Sequence, residues 1–439
     1  MGTNTVDQAK LVTNVFAARL QNELVTRDVV TWNMFTEEMD DRNGLKVVEQ
    51  RGPRYAVTRT ENGVRDLTTG TQGSVWGGEL YEITGTFGSS MGWGDFQKIK
   101  DIGSARESEA LLGAAQSMAQ KIDAYILSAA TLASNNWTGT VGNNLTDQED
   151  VVAGYTRLKE QGVQDGDMNY VMNWVDRQKL GDQVINLPGP DGFPTATYKD
   201  GLDSRINGIG VKWTQQLPVL TVGTRAASGA AQVSGATQNV NYADVATQTT
   251  ANGLYKTQTL SVKNMTVAHT IAAGEVFTIA GVYAYDNQKQ ALVSPARLQQ
   301  FTVVTAATAD GSGLIAALRI YPAIIVPNTG TGSNPDINTA HATVDSIPAN
   351  SAAMTFMGTA STAYAPRLLI QKGSMVVNSA QLVMPMTGIS SRKTLSKIPL
   401  SVRMWGNSEF SNGSHDIRFD VALNVNVRDR DRLTRINGS

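Results

Sequence analysis

The sequence predicts an α+β chain with an all-β domain inserted into it, and three observations point there. Between about Leu217 and Ser346 the chain carries about 12 charged residues in roughly 130, against about one in five elsewhere. The same stretch is rich in Thr, Ala, Gly and Val and breaks into short apolar runs separated by Gly, Asn and Asp turns. The flanks instead hold long patterns of helical period and do not look self-sufficient if cut at the insertion. A host domain therefore lets its chain leave at Leu217-Pro218-Val219-Leu220-Thr221 and return near Asp345.

From Val6 to about Leu24, the residues Leu11, Val15, Phe16 and Ala18 form an imperfect apolar stripe, which reads as an N-terminal helix. Between Arg51 and Ser90, strand-like stretches holding Tyr55, Val57, Val75, Tyr81, Ile83 and Phe87 are interrupted by Gly63, Gly70, Gly73 and Gly77-Gly78. That pattern reads as a long two-stranded ribbon with a flexible tip. Having little core of its own, such a ribbon is expected to lie on a neighbour.

The clearest helix follows. Ser104-Ala105-Arg106-Glu107 forms a capping box, and Leu111, Ala115, Met118, Ile122, Tyr125, Ala129 and Leu132 recur at three and four residues, which assigns them to one face. A helix over 104–134 would be about 45 Å long, the length of a spine. A second capping box, Thr146-Asp147-Gln148-Glu149, opens a shorter helix with Val152, Tyr155 and Leu158, ended by Gly162. Asn169 to Asn173 reads as a strand, Asp176 to Val184 as a short helix, and Pro188-Gly189-Pro190-Asp191-Gly192 as a loop.

Within the insertion the strands are Thr257 to Lys263, Glu275 to Ala280, Gln300 to Ala306 and Leu314 to Tyr321, and their regular spacing favours a small barrel or sandwich. Beyond it, Arg367 to Ile370 and Ser374 to Leu382 read as strands. Asp416 to Val427 alternates strictly, with Ile417, Phe419, Val421, Leu423, Val425 and Val427 on one face, and is expected to be a half-buried antiparallel strand.

Chemistry is hard to place on this chain. Zero cysteines exclude a disulfide framework, a thiolate zinc site, an iron-sulfur cluster and a thiol nucleophile. The three histidines, His269, His341 and His415, show no paired metal-ligand spacing, so no metal is expected. Gly330-Thr331-Gly332-Ser333 and Gly311-Ser312-Gly313 lack the Gly-Lys-Ser/Thr of a phosphate cradle and read as turns, and there is no nucleophile elbow. Carboxylate clusters such as Glu37-Glu38 with Asp40-Asp41, or Asp165 with Asp167, fit a solvated surface better than a glycosidase pair. No cofactor is expected.

A net charge of -2 gives no reason for tight binding of nucleic acid or an anionic membrane. No signal peptide or bilayer-spanning run is read, so the chain is expected to be neither secreted by the general route nor membrane-embedded. Arg428, Arg430, Arg432 and Arg435 alternate with Asp429 and Asp431, which reads as local or inter-chain ion pairing.

The chain resembles the major capsid proteins of tailed double-stranded DNA bacteriophages with the Hong Kong ninety-seven (HK) fold, and among them the P-twenty-two-like coat proteins with an insertion domain. The residues that carry the resemblance are Tyr198-Lys199-Asp200-Gly201, Gln216-Leu217-Pro218-Val219-Leu220-Thr221, Val233-Ser234-Gly235-Ala236, and Ala273-Gly274-Glu275-Val276-Phe277-Thr278-Ile279-Ala280-Gly281-Val282. They occur in the family's order across about half the chain.

The resemblance implies an HK-type capsid fold with this layout: an N-arm over 1–43, an extended loop over 44–94, a peripheral domain over 95–142 and 398–439 built on the spine helix, an axial domain over 143–216 and 346–397, and an inserted all-β barrel over 217–345. It implies a non-enzymatic shell subunit whose copies form pentamers and hexamers around a scaffolding protein, with a portal at one vertex, packaged DNA held by weak non-specific contact, a decoration protein as an optional partner, and no membrane. Assembly is expected in the host cytoplasm. Candidates for inter-subunit contact are Asp244, in a loop over 240–248, with Trp76, Tyr81, Arg428, Arg430 and Arg432. The alternatives are a virion decoration or glycan-binding adhesion protein and, behind it, a carboxylate-dependent glycosidase.

Overall fold

A computed structural model describes residues 3–39, 46–55, 74–83, 85–93, 109–142, 145, 148–163, 166–185, 205–206, 208–225, 227–247, 255–327, 337–385, 388–409 and 414–436. The first capping box, Thr146 and Asp147 of the second, the ribbon-tip glycines Gly63, Gly70 and Gly73, the Tyr198-Lys199-Asp200-Gly201 motif, the loop at Pro188 to Gly192, the turn at Gly330 to Ser333, and Asp40, Asp41 and Asp165 lie outside the described residues. What remains is a mixed α/β protein with few helices and many strands. Among the described residues no helix is long and apolar enough to cross a membrane.

Three six-stranded sheets organise the chain. The first gathers Thr31–Met39, Thr86–Trp93, Met375–Leu382, Ile389–Thr394 and Ser401–Glu409 around the long strand Ser414–Val427. Its inner face carries Phe419, Val421 and Leu423, and against it pack the N-terminal helix Thr3–Glu23 and the spine helix Glu109–Ala133. Phe16 of the former stacks on Phe419 with ring centroids 3.9 Å apart. Asp123 of the spine helix is buried and accepts hydrogen bonds from the Val25 and Thr26 amides and the Thr26 hydroxyl, at 3.0, 3.1 and 2.6 Å. One carboxylate thus fixes the turn by which the chain leaves the N-terminal helix. Burial raises its pKa against these lowering hydrogen bonds.

The spine helix differs from its sequence pattern near its C-terminal end. Leu111, Ala115, Met118 and Ile122 are buried as expected, but the stripe continues through Ile126 and Ala130, while Tyr125 and Leu132 are 39% and 42% exposed. A residue four on leads the starting direction by about 40° and one three on trails by about 60°, so the path through Tyr125 and Leu132 turns off the core face.

The second sheet is wholly antiparallel and runs in the order Ala227–Val233, Gln258–Met265, Ile315–Tyr321, Leu298–Val303, Val276–Tyr283, Met354–Phe356. It has its own core, with Leu260, Val262, Phe277, Ile279, Phe301 and Ile320. Where the chain enters and leaves this region, Leu220–Thr221 pairs antiparallel with Ala363–Tyr364.

The third sheet joins Asn136–Thr138, Leu433–Ile436, Arg367–Gln371, Met168–Met172, Ile209–Trp213 and Arg205–Ile206. Helix Gln148–Glu160 covers it and ends where Gly162 takes φ +76°, its amide bonded to the Lys159 carbonyl.

The long terminal strand corrects the expectation of a half-buried element. Its apolar face is buried from Ile417 to Leu423 and half-buried at Val425 and Val427, but Asp420, Ala422, Asn424 and Asn426 on the other face are buried too. Arg403 and Arg418 pair with Asp420 at 2.6 and 2.5 Å, and the ribbon covers the rest.

Candidate functional site

The ribbon is formed at its described base by Lys46–Arg51 against Gly77–Glu82, antiparallel, and this base lies along the chain's own terminal strand. The polar face of the terminal strand receives it: Asn424 donates to the Glu82 carbonyl at 2.7 Å and Asn426 to Glu49 at 2.8 Å. Arg51 pairs with Glu79 at 3.1 Å and with Asp429 at 2.9 Å, and also donates to the Arg428 carbonyl. Its guanidinium lies 4.7 Å from the Tyr255 ring centroid. Burial lowers the Arg51 pKa, but Glu79 and Asp429 outweigh it and hold the group firmly protonated.

Glu79, almost fully buried, accepts from Arg51, from the Tyr81 hydroxyl and from the Tyr255 amide, so one carboxylate joins the ribbon to the second sheet's side of the molecule. Gly77 is required at this contact, because a Cβ there would stand 2.6 Å from a ring carbon of Tyr255.

A second polar seam docks the second sheet onto the rest. Gln300 uses its side-chain amide as a strand would, accepting from the Trp137 amide and donating to its carbonyl, both at 2.9 Å. The Thr302 hydroxyl reaches the Ser134 carbonyl at 3.1 Å, just past the spine helix. Arg435, fully buried, donates to the Gly274 and Ser134 carbonyls at 2.6 and 2.7 Å and lies over the Trp137 ring. A cation at the carbonyl end of the spine helix also suits its dipole. Tyr321 donates to Asp431 at 3.1 Å. The two seams meet at a polar cleft of about 340 Å³ lined among others by Arg51, Arg54, Tyr255, Lys256, Tyr321 and Asp431.

The residues singled out from sequence fall around this junction. Trp76 is 58% exposed, and its carbonyl accepts from the Thr247 hydroxyl at 3.2 Å. The Gly78 amide bonds to the Ala246 carbonyl, which brings the ribbon beside the short helix Tyr242–Val245 that carries the exposed Asp244. Arg428 pairs with Glu49 at 2.9 Å and Arg432 with Asp429 at 3.6 Å, both partly exposed.

Tyr81 is buried against Glu79, and Arg430 is buried with its guanidinium 5.2 Å from the Tyr321 ring centroid. Sequence reasoning missed Glu79, Gln300 and Thr302, since nothing in a local pattern marks a polar residue as buried. Among the described residues no group of three or more acids and histidines is placed to hold a metal.

His341 lies beneath the same junction. It is 1% exposed and stacks flat on Tyr242 at 3.5 Å, with neither ring nitrogen partnered. Burial, then Lys256 and Arg54, push its pKa down to about 2 from 6.5. The folded chain therefore refuses a proton that the unfolded chain accepts below pH 6.5. Stability is full above that pH and falls as pH drops toward the folded value, by up to about 2 kcal/mol by pH 5. Urea midpoints measured between pH 7 and pH 5 are expected to fall, with a shallower slope in His341→Phe; equal slopes would contradict the assignment.

The family model described as P22 coat protein, gene protein 5, matches residues 98–431. Among solved structures, a chain from Mycobacterium phage Che8 is 10% identical, with 90% of this chain and 85% of that one covered and a TM-score of 0.39. The capsid of cyanophage P-SCSP1u is 8% identical, covering 93% and 86%, with a TM-score of 0.40. The mature capsid of bacteriophage PhiM1 is 10% identical, covering 94% and 86%, with a TM-score of 0.39. Likenesses of this strength carry no argument. The comparison with curated proteins finds no match.

Proposed function

From the premise that the chain belongs to the P22 coat protein family, we propose that its copies assemble as pentamers and hexamers around a scaffolding protein into an icosahedral shell that encloses double-stranded DNA. As a member of that family it is a structural phage capsid protein and not an enzyme. The observation that carries the proposal is the family match over 98–431, which spans most of the chain. Assembly is placed in the host cytoplasm, with a portal at one vertex and a decoration protein as a further partner.

The layout proposed is the HK-type one, with the N-arm over 1–43, the extended loop over 44–94, the peripheral domain on the spine helix and the axial domain on the third sheet. The second sheet is proposed as the inserted β domain. Its strand Met354–Phe356 and the closing pair of Leu220–Thr221 with Ala363–Tyr364 support a return about 20 residues later than Asp345. Trp76, Asp244, Arg428 and Arg432, on the accessible rim of the ribbon junction, are proposed as inter-subunit contacts. A shell needs many modest interfaces, since closure supplies avidity that no single contact has.

Sedimentation of the expressed chain with and without its scaffolding protein tests the assembly. A fast fraction that appears or sharpens with scaffold is expected; a slow monomer under both conditions would contradict the proposal.

A further inference from the structure

Two cations at the ribbon junction stand without a carboxylate. Lys256 is only 9% exposed and lines the cleft, its ammonium 5.7 Å from the ring centroids of both Tyr242 and Tyr255. Arg54 lines the same cleft from the ribbon side. Neither forms an ion pair among the described residues. The acids around them each have other hydrogen-bond or ion-pair partners. Asp429 is held by Arg51 and Arg432, Glu160 by Arg297, and Asp286 by the Gln288 and Lys289 amides, while Asp431 accepts from Asn135 and Tyr321.

Two like charges held together, one of them buried, are unfavourable unless something neutralises them. Burial, then Arg54, lowers the Lys256 pKa to about 8, with Arg51 acting in the same direction and Asp431 and Asp429 opposing. A third donor is at hand. The Tyr242 and Tyr255 hydroxyls are 2.7 Å apart, so one proton joins them and the other is spare.

We propose that this cleft binds a phosphate-class oxyanion, held between the Lys256 ammonium and the Arg54 guanidinium and accepting the spare hydroxyl proton of the tyrosine pair. A phosphate presents enough acceptor oxygens to meet both cations and the hydroxyl at once, which the two oxygens of a single carboxylate do less well. The cleft, at about 340 Å³, has room for a phosphate with its substituent. The phosphate is either free or part of a nucleic-acid backbone, and the site is a property of the folded chain whether or not shells form.

The test is titration of the full-length protein with inorganic phosphate at ionic strength held constant with sodium chloride, followed by calorimetry. Saturable binding is expected, weakened roughly tenfold or more in Lys256→Met and in Arg54→Gln, the latter an exposed position where folding is not at stake. Above about pH 8, where inorganic phosphate is already mostly the dianion, binding is also expected to weaken toward about pH 9 as Lys256 loses its proton, with His341 neutral throughout. A short single-stranded oligonucleotide that displaces the phosphate would assign the ligand to nucleic acid; one that does not would assign it to free phosphate. Absence of saturable binding, or equal affinity in both variants, would overturn the proposal.

Discussion

Phe419→Ala is expected to destabilise the subunit by about 3–5 kcal/mol, among the largest effects available to a single substitution in this chain. The ring is fully buried, stacks on Phe16 at 3.9 Å, and lies where the N-terminal helix, the spine helix and the first sheet share one core. Removing it takes away the transfer term and leaves a cavity that three elements cannot close together. The check is a denaturant midpoint for the unassembled subunit. Phe16→Ala should shift it comparably, and the double variant should cost less than the sum, because both deletions empty the same space. A loss under about 1 kcal/mol for Phe419→Ala would mean that the N-terminal helix does not dock as described.

Arg367→Met is expected to cost a similar 3–5 kcal/mol for a different reason. Its guanidinium meets Asp176 in a two-pronged pair at 2.7 and 2.6 Å, with both side chains almost wholly out of water. Asp176 also accepts from the Asn173 amide at 3.2 Å, in the first turn of the helix Trp174–Ile185, so the pair ties that helix to the third sheet. Breaking it strands a carboxylate in the interior, which is far worse than lacking the pair altogether. Arg367→Met combined with Asp176→Leu should therefore recover much of the loss, and a double-mutant cycle reads this directly. Additive losses would contradict a buried coupled pair.

Much of this fold is legible in the sequence because apolar periodicity survives into the structure. The strands read at Thr257, Glu275, Gln300 and Leu314 are present with ends moved by a few residues, since each alternates or runs apolar between turns. The spine helix is present over Glu109–Ala133. What was illegible is polar burial. Asn424, Asn426 and Asp420 read as the wet face of a strand, yet tertiary partners on the ribbon and on Arg403 and Arg418 make them interior.

The same holds for the C-terminal arginines. Their alternation with aspartate suggested ion pairs, and Arg428 and Arg432 form them, but Arg435 goes to two carbonyls and an indole and Arg430 to a tyrosine ring. A pattern of charges does not encode which neighbours arrive from residues 134, 274 or 321. The candidate junction was therefore visible in pieces, as Trp76, Asp244 and the arginine cluster, while the residues that unite the pieces, Glu79 and Tyr255, gave no local signal.

Electron microscopy with symmetry averaging of the particles formed when the full chain and its scaffolding protein are expressed together tests the central claim most directly. Closed icosahedral shells with five-fold and six-fold capsomers, each subunit carrying an inserted β domain closed by the Leu220–Thr221 and Ala363–Tyr364 pair, are the expected result. Unassembled subunits, or open aggregates without five-fold vertices, would contradict it.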